Sequence, residues 1–368
     1  MSTDRNMRSR VVALAVTALA AVTLLIAAAP SQAKAPRTFF GVVPQTALGD
    51  TDFDRMGQAK IGTLRILVSW NTINASAGSF DWGGLDAVVG GAAENGVEVL
   101  PFLYGTPDWV ATGLDGRSCS GDCSIFAPKS AAALDSWSTF VGAAVDRYGP
   151  NGQFWTENPT VPKVPITAWQ IWNEQNSSTF FAPKPNQKAY AKLVGAASDA
   201  IKTRDPAAEV VLGGMADLAG SSKAIRGSKY LAKLYKVSGV KSDFDGVAPH
   251  PYGATLDKVI GQIDLYRQVM KKAGDSKADL WITEIGWGSK SGGHPLNKGT
   301  KGQAKLLKDS FKYFVKKRNA LNVENVDWFS WMDSQTKICA WCGSSGLFKA
   351  GLKAKPSLKA FTKFTGGS

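Results

Sequence analysis

Two glutamates lie at the ends of apolar runs of strand length. Glu174 closes the run Trp169-Gln-Ile-Trp-Asn-Glu174, and Glu284 lies near the end of Trp281-Ile-Thr-Glu-Ile-Gly-Trp287. A carboxylate is rarely buried without a partner, because removing its charge from water is costly. Ion pairs that stabilise loops are the weaker alternative, since neither run contains a basic residue. Two carboxylates on separate strands therefore predict the paired site that cleaves glycosidic bonds.

The direction of these two side chains depends on the alternation of residues along a strand. Glu174 is in phase with Gln170 and Trp172, whereas Glu284 is in phase with Leu280 and Ile282. This alternation favours a shared direction for the two carboxylates.

Apolar runs of strand length alternate along the chain with segments of helical periodicity, which is typical of a parallel sheet with crossover helices. The predicted strands are Phe39–Pro44, Thr63–Trp70, Val97–Tyr104, Ile166–Glu174, Glu209–Gly213, Gly246–Pro251, Leu280–Trp287 and Val326–Trp331. Helices are predicted between them, and a last one near Ser357–Phe364. Eight such units predict an α/β fold, a single (β/α)8 TIM barrel at residues 36–368. Barrel enzymes carry their sites at the carboxyl ends of the strands, where both glutamates lie.

The amino terminus has the pattern of a secretion signal. Basic residues precede an apolar stretch from Val11 to Ala29, and small residues follow it. We expect a signal peptide at residues 1–33 with cleavage after Ala33 or Ala35, and a secreted, extracellular protein. An uncleaved membrane anchor is the alternative, because the stretch is nearly long enough to span a bilayer.

The four cysteines form two close pairs, Cys119 with Cys123 and Cys339 with Cys342. In an exported protein, such pairs most simply form local disulfides that hold loops. A redox site at Cys-Ala-Trp-Cys and a zinc site are the alternatives, and the sequence leaves the connectivity open. The first pair lies in the long loop Thr106–Lys129, which the predicted barrel places on the active face.

The chain has a formal net charge of +13. Its lysines are spread over predicted helices such as Lys305 to Lys317 and Lys353 to Lys363. A solvated surface is the simpler interpretation, and attraction to anionic cell-envelope polymers is the alternative. The chain has no nucleic-acid-binding motif, so we expect no nucleic acid partner. We also expect a monomer with no stable membrane insertion after signal cleavage.

The two glutamate motifs resemble a known enzyme group. Ile-Trp-Asn173-Glu174 and Thr-Glu284-Ile-Gly-Trp are similar to the motifs of clan A retaining glycoside hydrolases, most of all those of family 39 and family 5. The resemblance implies that Glu174 is the general acid/base and Glu284 the nucleophile. It also implies carboxyl groups about 5–5.5 Å apart, as retention requires.

Four further residues fit the resemblance. Arg65 interrupts an apolar strand and would hold Glu284 ionised and oriented; the alternative is a bond to a carboxylate on an outer helix. Asn173 would bind the 2-hydroxyl of the sugar. His250 and Tyr252, at the end of the sixth strand, would lie beside the nucleophile.

Tryptophans at strand ends are candidates for stacking on sugar rings. The resemblance gives this role to Trp331. As a set at strand ends, Trp70, Tyr104, Trp109, Trp172 and Trp287 are further candidates for the cleft, and a place in the core is the alternative for any single one of them. The chain has only two histidines, and His294 lies in a glycine-rich loop, so we expect neither a metal nor a cofactor.

These observations predict a secreted retaining glycoside hydrolase that acts on an oligo- or polysaccharide. A carbohydrate-binding or cell-envelope protein without activity is one alternative, although both carboxylates are present. A transglycosylase that uses the same residues is the other. Neither the sugar nor endo or exo action follows from the sequence, because specificity lies in loops that carry no general code.

Overall fold

The structure is a computed structural model that describes residues 34–119, 121–217, 222–335 and 339–368. The predicted signal peptide, residues 1–33, lies outside the described residues. In the described part of the chain, no helix has the length and apolar character to cross a membrane.

Eight parallel strands close into a barrel, which confirms the predicted fold class. Each strand pairs with the next one along the chain, and the eighth pairs with the first. The sixth strand consists of two short pieces. The strands are β1 Phe40–Val43, β2 Thr63–Ser69, β3 Glu98–Tyr104, β4 Ala168–Asn173, β5 Glu209–Ala216, β6 Gly246–Val247 with Pro249–His250, β7 Asp279–Ile285 and β8 Val323–Phe329.

Helices surround the barrel. They are α1 Asp50–Gln58, α2 Trp70–Ile73, α3 Gly83–Glu94, α4 Ala131–Tyr148, α5 Gln153–Glu157, α6 Gln187–Arg204, α7 Gly227–Leu234, α8 Leu256–Lys272, α9 Gly299–Leu321 and α10 Pro356–Thr365. A small antiparallel hairpin, β9 Phe348–Lys349 and β10 Lys353–Ala354, precedes α10 and was not predicted. The last helix begins with a proline, which the first turn tolerates because its N–H groups have no partner within the helix.

The helix α4 illustrates how local sequence forms these outer elements. The Ser130 hydroxyl oxygen accepts a hydrogen bond from the Ala133 N–H (3.1 Å) and so caps the first turn. Trp137, Phe140 and Ala144 then recur at helical spacing and are fully buried. This face covers the sheet and buries its outer side chains.

The interior of the barrel has an apolar layer with a polar layer beyond it. Val211, Ala248 and Trp281 belong to the small apolar cluster that fills the inside. On β4, Gln170 lies two residues after Ala168, and on β7, Thr283 lies two residues after Trp281. Both are fully buried. The polar layer thus lies toward the carboxyl ends of the strands, where barrel enzymes bind substrate.

Two disulfides join the cysteines within each close pair, Cys119 to Cys123 and Cys339 to Cys342. The structure thereby settles the connectivity that the sequence left open. Both bonds lie in loops that follow barrel strands, after β3 and after β8.

Candidate active site

Arg65 is the centre of the polar layer. Its side chain is fully buried on β2 and donates hydrogen bonds to three other residues. Nη1 donates to Glu284 Oε1 (2.8 Å), Nη2 donates to Asn173 Oδ1 (2.8 Å), and Nε donates to Gln170 Oε1 (2.6 Å). The guanidinium also lies 4.3 Å from the centre of the Phe102 ring. The alternative that Arg65 reaches an outer helix is therefore wrong.

Glu284 is held on both carboxylate oxygens. Arg65 bonds Oε1, and the Tyr252 hydroxyl donates to Oε2 over 2.5 Å. Burial by itself raises the pKa of Glu284. The electrostatic interactions with His250 and Arg65, with the hydrogen bonds from Tyr252 and Arg65, outweigh burial and lower this pKa below its ordinary value. Glu284 is thus kept as a carboxylate.

Tyr252 keeps its hydroxyl hydrogen in this arrangement. Burial and the neighbouring charge of Glu284 raise the pKa of Tyr252 well above its ordinary value. The phenol therefore remains a donor to Glu284 Oε2.

Glu174 follows β4 directly and lies at a turn of unusual backbone geometry. Its φ is +43°, and the φ of Trp172 is +71°, so both residues adopt the left-handed region that side chains disfavour. Trp172 consequently faces the outer layer, where its ring packs against Trp137 and Phe181. The predicted alternation is therefore wrong after Gln170. Such strain is typical of functional sites.

Glu284 also departs from regular alternation. Leu280 and Ile282 belong to the outer core, on the far side of the sheet from Arg65. Strict alternation would place Glu284 with them. The pairing of β7 with β8 shifts register between Ile282 and Ile285, and an irregularity of this kind can re-aim a side chain. Because of this shift the Glu284 carboxylate reaches the interior.

His250, at the end of β6, lies between the two carboxylates. Its Nδ1 is 3.1 Å from Glu174 Oε1 and 3.6 Å from Glu284 Oε2. One oxygen of each glutamate and a ring nitrogen of His250 all lie within 4.8 Å of one another. This spacing could also hold a metal ion, and the expected absence of a metal stays a prediction.

Two polar residues of the site were not predicted from the sequence. Gln170 accepts the Arg65 Nε–H, and its amide nitrogen lies 3.2 Å from Thr283 Oγ1. Thr283 Oγ1 in turn lies 3.1 Å from His250 Nε2. A signal was available, because Gln170 and Thr283 are polar residues within apolar strands.

Besides Trp172, three of the predicted sugar-stacking tryptophans are buried in the core instead. Trp331 is fully buried, donates to Asp52 Oδ1 (2.8 Å) and packs on Phe348. Trp287 is fully buried and donates to the Gly253 carbonyl oxygen (2.7 Å). The prediction that these side chains face the substrate is wrong, because each indole N–H is needed to satisfy a buried acceptor.

Trp70 is the third of these tryptophans. It begins α2, is fully buried, donates to Asn74 Oδ1 (3.1 Å) and packs on Trp137. Its predicted place in the cleft is wrong too. Trp109 is only partly buried, with its N–H on the Asn74 carbonyl oxygen (2.9 Å), so its contact with substrate stays a prediction.

Trp341 is an aromatic neighbour of Tyr252 that was not singled out from the sequence. Its ring centre is 5.0 Å from that of Tyr252 and 5.9 Å from that of Phe329, both edge-to-face. The disulfide Cys339–Cys342 brackets it in the chain. The loop after β8 thus supplies an aromatic neighbour of Tyr252 in addition to Phe329, which lies at the end of the strand itself.

Comparisons with known proteins agree with this geometry. A sequence model of the family described as glycosyl hydrolase catalytic core matches residues 171–360. No curated protein sequence gives a significant match.

Solved structures share the fold. A family 39 glycoside hydrolase from Bacteroides cellulosilyticus WH2 is 17% identical, with a TM-score of 0.66 over 90% of this chain and 64% of that chain. A monomeric beta-xylosidase from Caulobacter crescentus CB15 is 18% identical, with a TM-score of 0.64 over 90% and 69%. A GH5_18 variant from Bifidobacterium longum subsp. longum in complex with Manβ1-4GlcNAc is 16% identical, with a TM-score of 0.61 over 89% and 77%.

The chain spans 64% of the length of the family 39 enzyme. At these identities the likeness to each solved structure shows the fold. Together with the family match, it confirms the resemblance drawn from the two glutamate motifs.

Proposed function

The chain belongs to the glycosyl hydrolase catalytic core family and is a glycoside hydrolase, and we propose that it cleaves O-glycosidic bonds with net retention. In this proposal Glu174 is the general acid/base and Glu284 is the nucleophile. The substrate is an oligo- or polysaccharide.

The separation of the two carboxylates is the observation that carries the proposal. An oxygen of Glu174 and an oxygen of Glu284 lie within 4.8 Å of each other. Retaining enzymes hold these groups about 5–5.5 Å apart, whereas inverting enzymes need about 6.5–9.5 Å to fit a water molecule between them. The spacing leaves Glu284 within reach of the sugar and favours the two-step reaction.

The surroundings of each carboxylate support a division of roles. Arg65 and Tyr252 keep Glu284 charged and fixed, as a nucleophile requires. In the first step Glu284 attacks the anomeric carbon while Glu174 gives its proton to the leaving oxygen, and the glycosidic bond breaks. In the second step Glu174 takes a proton from water, whose oxygen displaces Glu284 from the sugar.

Asn173 is placed in this proposal beside the nucleophile. Its Oδ1 accepts from Arg65, which leaves the amide N–H groups as donors. We assign them to the 2-hydroxyl of the bound sugar, where a hydrogen bond strengthens in the transition state.

Secretion is part of the proposal. The predicted signal peptide and the two disulfides support it, because disulfides persist in oxidising compartments. Mass spectrometry of the protein exported by a host would show an amino terminus that begins after Ala33 or Ala35. A full-length chain in the membrane fraction would contradict secretion.

The stereochemical course tests the proposal. Aryl β-glycosides of several sugars are hydrolysed in an NMR tube, and the anomeric proton of the first product is recorded before mutarotation. We expect the β-anomer first, whereas the α-anomer would mean inversion. Larger oligosaccharides among the products would indicate transfer, and an absence of turnover on sugars of every class tested would favour the non-catalytic alternative.

A further inference from the structure

A chain of directed hydrogen bonds begins at Arg65. The guanidinium carries only donors, so its bond to Gln170 fixes the amide oxygen of Gln170 as the acceptor (2.6 Å). The amide nitrogen must then face the other way. It donates to the Leu212 carbonyl oxygen (3.0 Å) and to Thr283 Oγ1 (3.2 Å), which uses both of its hydrogens.

The direction of hydrogen-bond donation continues from Gln170 through Thr283 to His250. The threonine hydroxyl has one hydrogen, and its oxygen already accepts the bond from Gln170. His250 Nε2, at 3.1 Å, is the acceptor that the hydroxyl hydrogen meets. A ring nitrogen that accepts a hydrogen bond carries no proton, so in neutral His250 the proton lies on Nδ1.

The Nδ1–H of His250 then points at the acid/base. It lies 3.1 Å from Glu174 Oε1, closer than to Glu284 Oε2 at 3.6 Å. The side chains of Arg65, Gln170, Thr283 and His250 are all fully buried, so solvent does not compete for these bonds.

We propose that Gln170 and Thr283 are positioning residues that set the tautomer of His250, so that its Nδ1–H donates to Glu174 Oε1. The consequence for the reaction rests on the proposed role of Glu174. With Oε1 occupied as an acceptor, Oε2 carries the proton that is given to the leaving oxygen. The same hydrogen bond stabilises the carboxylate that remains after the proton has left.

The chain provides an internal reference. It has two histidines, and the second, His294, accepts the Leu296 N–H at its Nδ1 (3.2 Å). His294 is therefore expected as the Nε2–H tautomer when neutral. The two histidines should show opposite tautomers in one spectrum.

Nitrogen NMR of the protein labelled with ¹⁵N-histidine tests the proposal directly. At about pH 8, where an ordinary imidazole is neutral, we expect one ring with the hydrogen on Nδ1 and one with it on Nε2. The Nδ1–H signals should change in a His250→Gln variant. A His250 found as the Nε2–H tautomer or as the imidazolium would overturn the proposal.

Thr283→Val tests the part of the chain that precedes His250. Without the Thr283 hydroxyl the tautomer of His250 is no longer fixed, so its Nε2–H form should become populated. The hydrogen bond from His250 to Glu174 then weakens, and kcat should fall about tenfold. Thr283→Ser should restore both readouts. If Thr283→Val folds and His250 keeps its wild-type tautomer, the proposal that Thr283 sets this tautomer is refuted.

Thr63→Val is the matched control. Thr63 lies at the start of β2, far from the carboxylates, and its hydroxyl donates to the Thr38 carbonyl oxygen over 2.7 Å. It should leave the His250 spectrum and kcat unchanged. The tautomer is read without substrate, so it can be found correct even if the protein proves not to act by retention. Conversely, if the protein acts by retention but His250 is the Nε2–H tautomer, only the proposed role of Gln170 and Thr283 is refuted.

Discussion

Arg65 and Glu284 form an ion pair over 2.8 Å, and the arginine side chain has no exposure to solvent. The other two guanidinium nitrogens donate to Gln170 and Asn173, so the charge is paired and each of the three nitrogens makes a hydrogen bond. A buried pair of this kind contributes little net stability, but removing one partner leaves an uncompensated charge. The two residues therefore depend on each other.

Arg65→Met should lower the free energy of unfolding by about 3–5 kcal/mol, because it leaves Glu284 buried without its counterion. Denaturant unfolding measures this change. The double variant Arg65→Met with Glu284→Gln should recover part of the loss, since neither charge then remains. Equal stability of the single variant and the wild type would contradict the importance of the pair.

Tyr252→Phe should raise the pKa of Glu284, because the Tyr252 hydroxyl is one of the groups that lower this pKa. If Glu284 must be ionised, activity is lost as pH falls through its pKa. The acidic limb of the kcat/KM profile should therefore move to higher pH, with kcat/KM at neutral pH reduced about tenfold.

Tyr230→Phe is the control for that comparison. Tyr230 is fully buried on α7, and its hydroxyl makes no hydrogen bond within the described part of the chain. This variant should keep the wild-type profile. An unchanged acidic limb in Tyr252→Phe would mean that the phenol does not hold the nucleophile.

The disulfide Cys339–Cys342 should influence activity through Trp341, whose ring packs edge-to-face on Tyr252. The double variant C339S/C342S frees this loop. We expect kcat/KM to fall about fivefold, in line with the loss of one aromatic contact.

The second disulfide offers the matched comparison. The variant C119S/C123S removes a bond of similar loop size after β3. Its effect on kcat/KM should be smaller, because Tyr252 keeps Trp341 as its neighbour. Equal losses of kcat/KM in the two double variants would argue against a special link between Trp341 and Tyr252.

The raised pKa of Glu209 predicts that the stability of the protein depends on pH, independently of its activity. It begins β5 at the opposite end of the barrel, where burial, reinforced by the charges of Asp279 and Glu324, raises its pKa from 4.5 to about 7. A raised carboxyl pKa contributes stability at low pH, and this contribution is lost as pH rises from 4.5 to about 7. Glu209→Gln should remove that decline.

Thermal unfolding at a series of pH values measures the effect. The difference in Tm between Glu209→Gln and the wild type should grow in favour of the variant across this window. Turnover at a fixed pH should not change. A difference in Tm that is independent of pH would show that Glu209 titrates normally.

Much of the fold could be predicted because buried parallel strands are nearly continuous apolar runs. All eight strands were found, as was the last helix. The need of Arg65 for a partner followed from the cost of an unpaired guanidinium in an apolar strand, and the resemblance implied that this partner is Glu284.

The directions of side chains at strand ends could not be predicted from alternation. The positive φ of Trp172 and the register shift after Ile282 are tertiary effects that no local pattern encodes. The tryptophan predictions were wrong for a related reason. Trp331 satisfies Asp52, which lies 279 residues away in sequence, and that contact outweighs its position after a strand.

The identity of the nucleophile is the centre of this account, and trapping tests it most directly. The protein is treated with activated 2-deoxy-2-fluoro β-glycosides, which slow the release of the glycosyl-enzyme, and the modified peptide is sequenced by mass spectrometry. We predict one fluorosugar on Glu284, no labelling of Glu284→Gln, and persistent labelling of Glu174→Gln, because the activated leaving group needs little acid catalysis whereas release needs Glu174 as the base. A fluorosugar attached to any other residue would contradict the assignment.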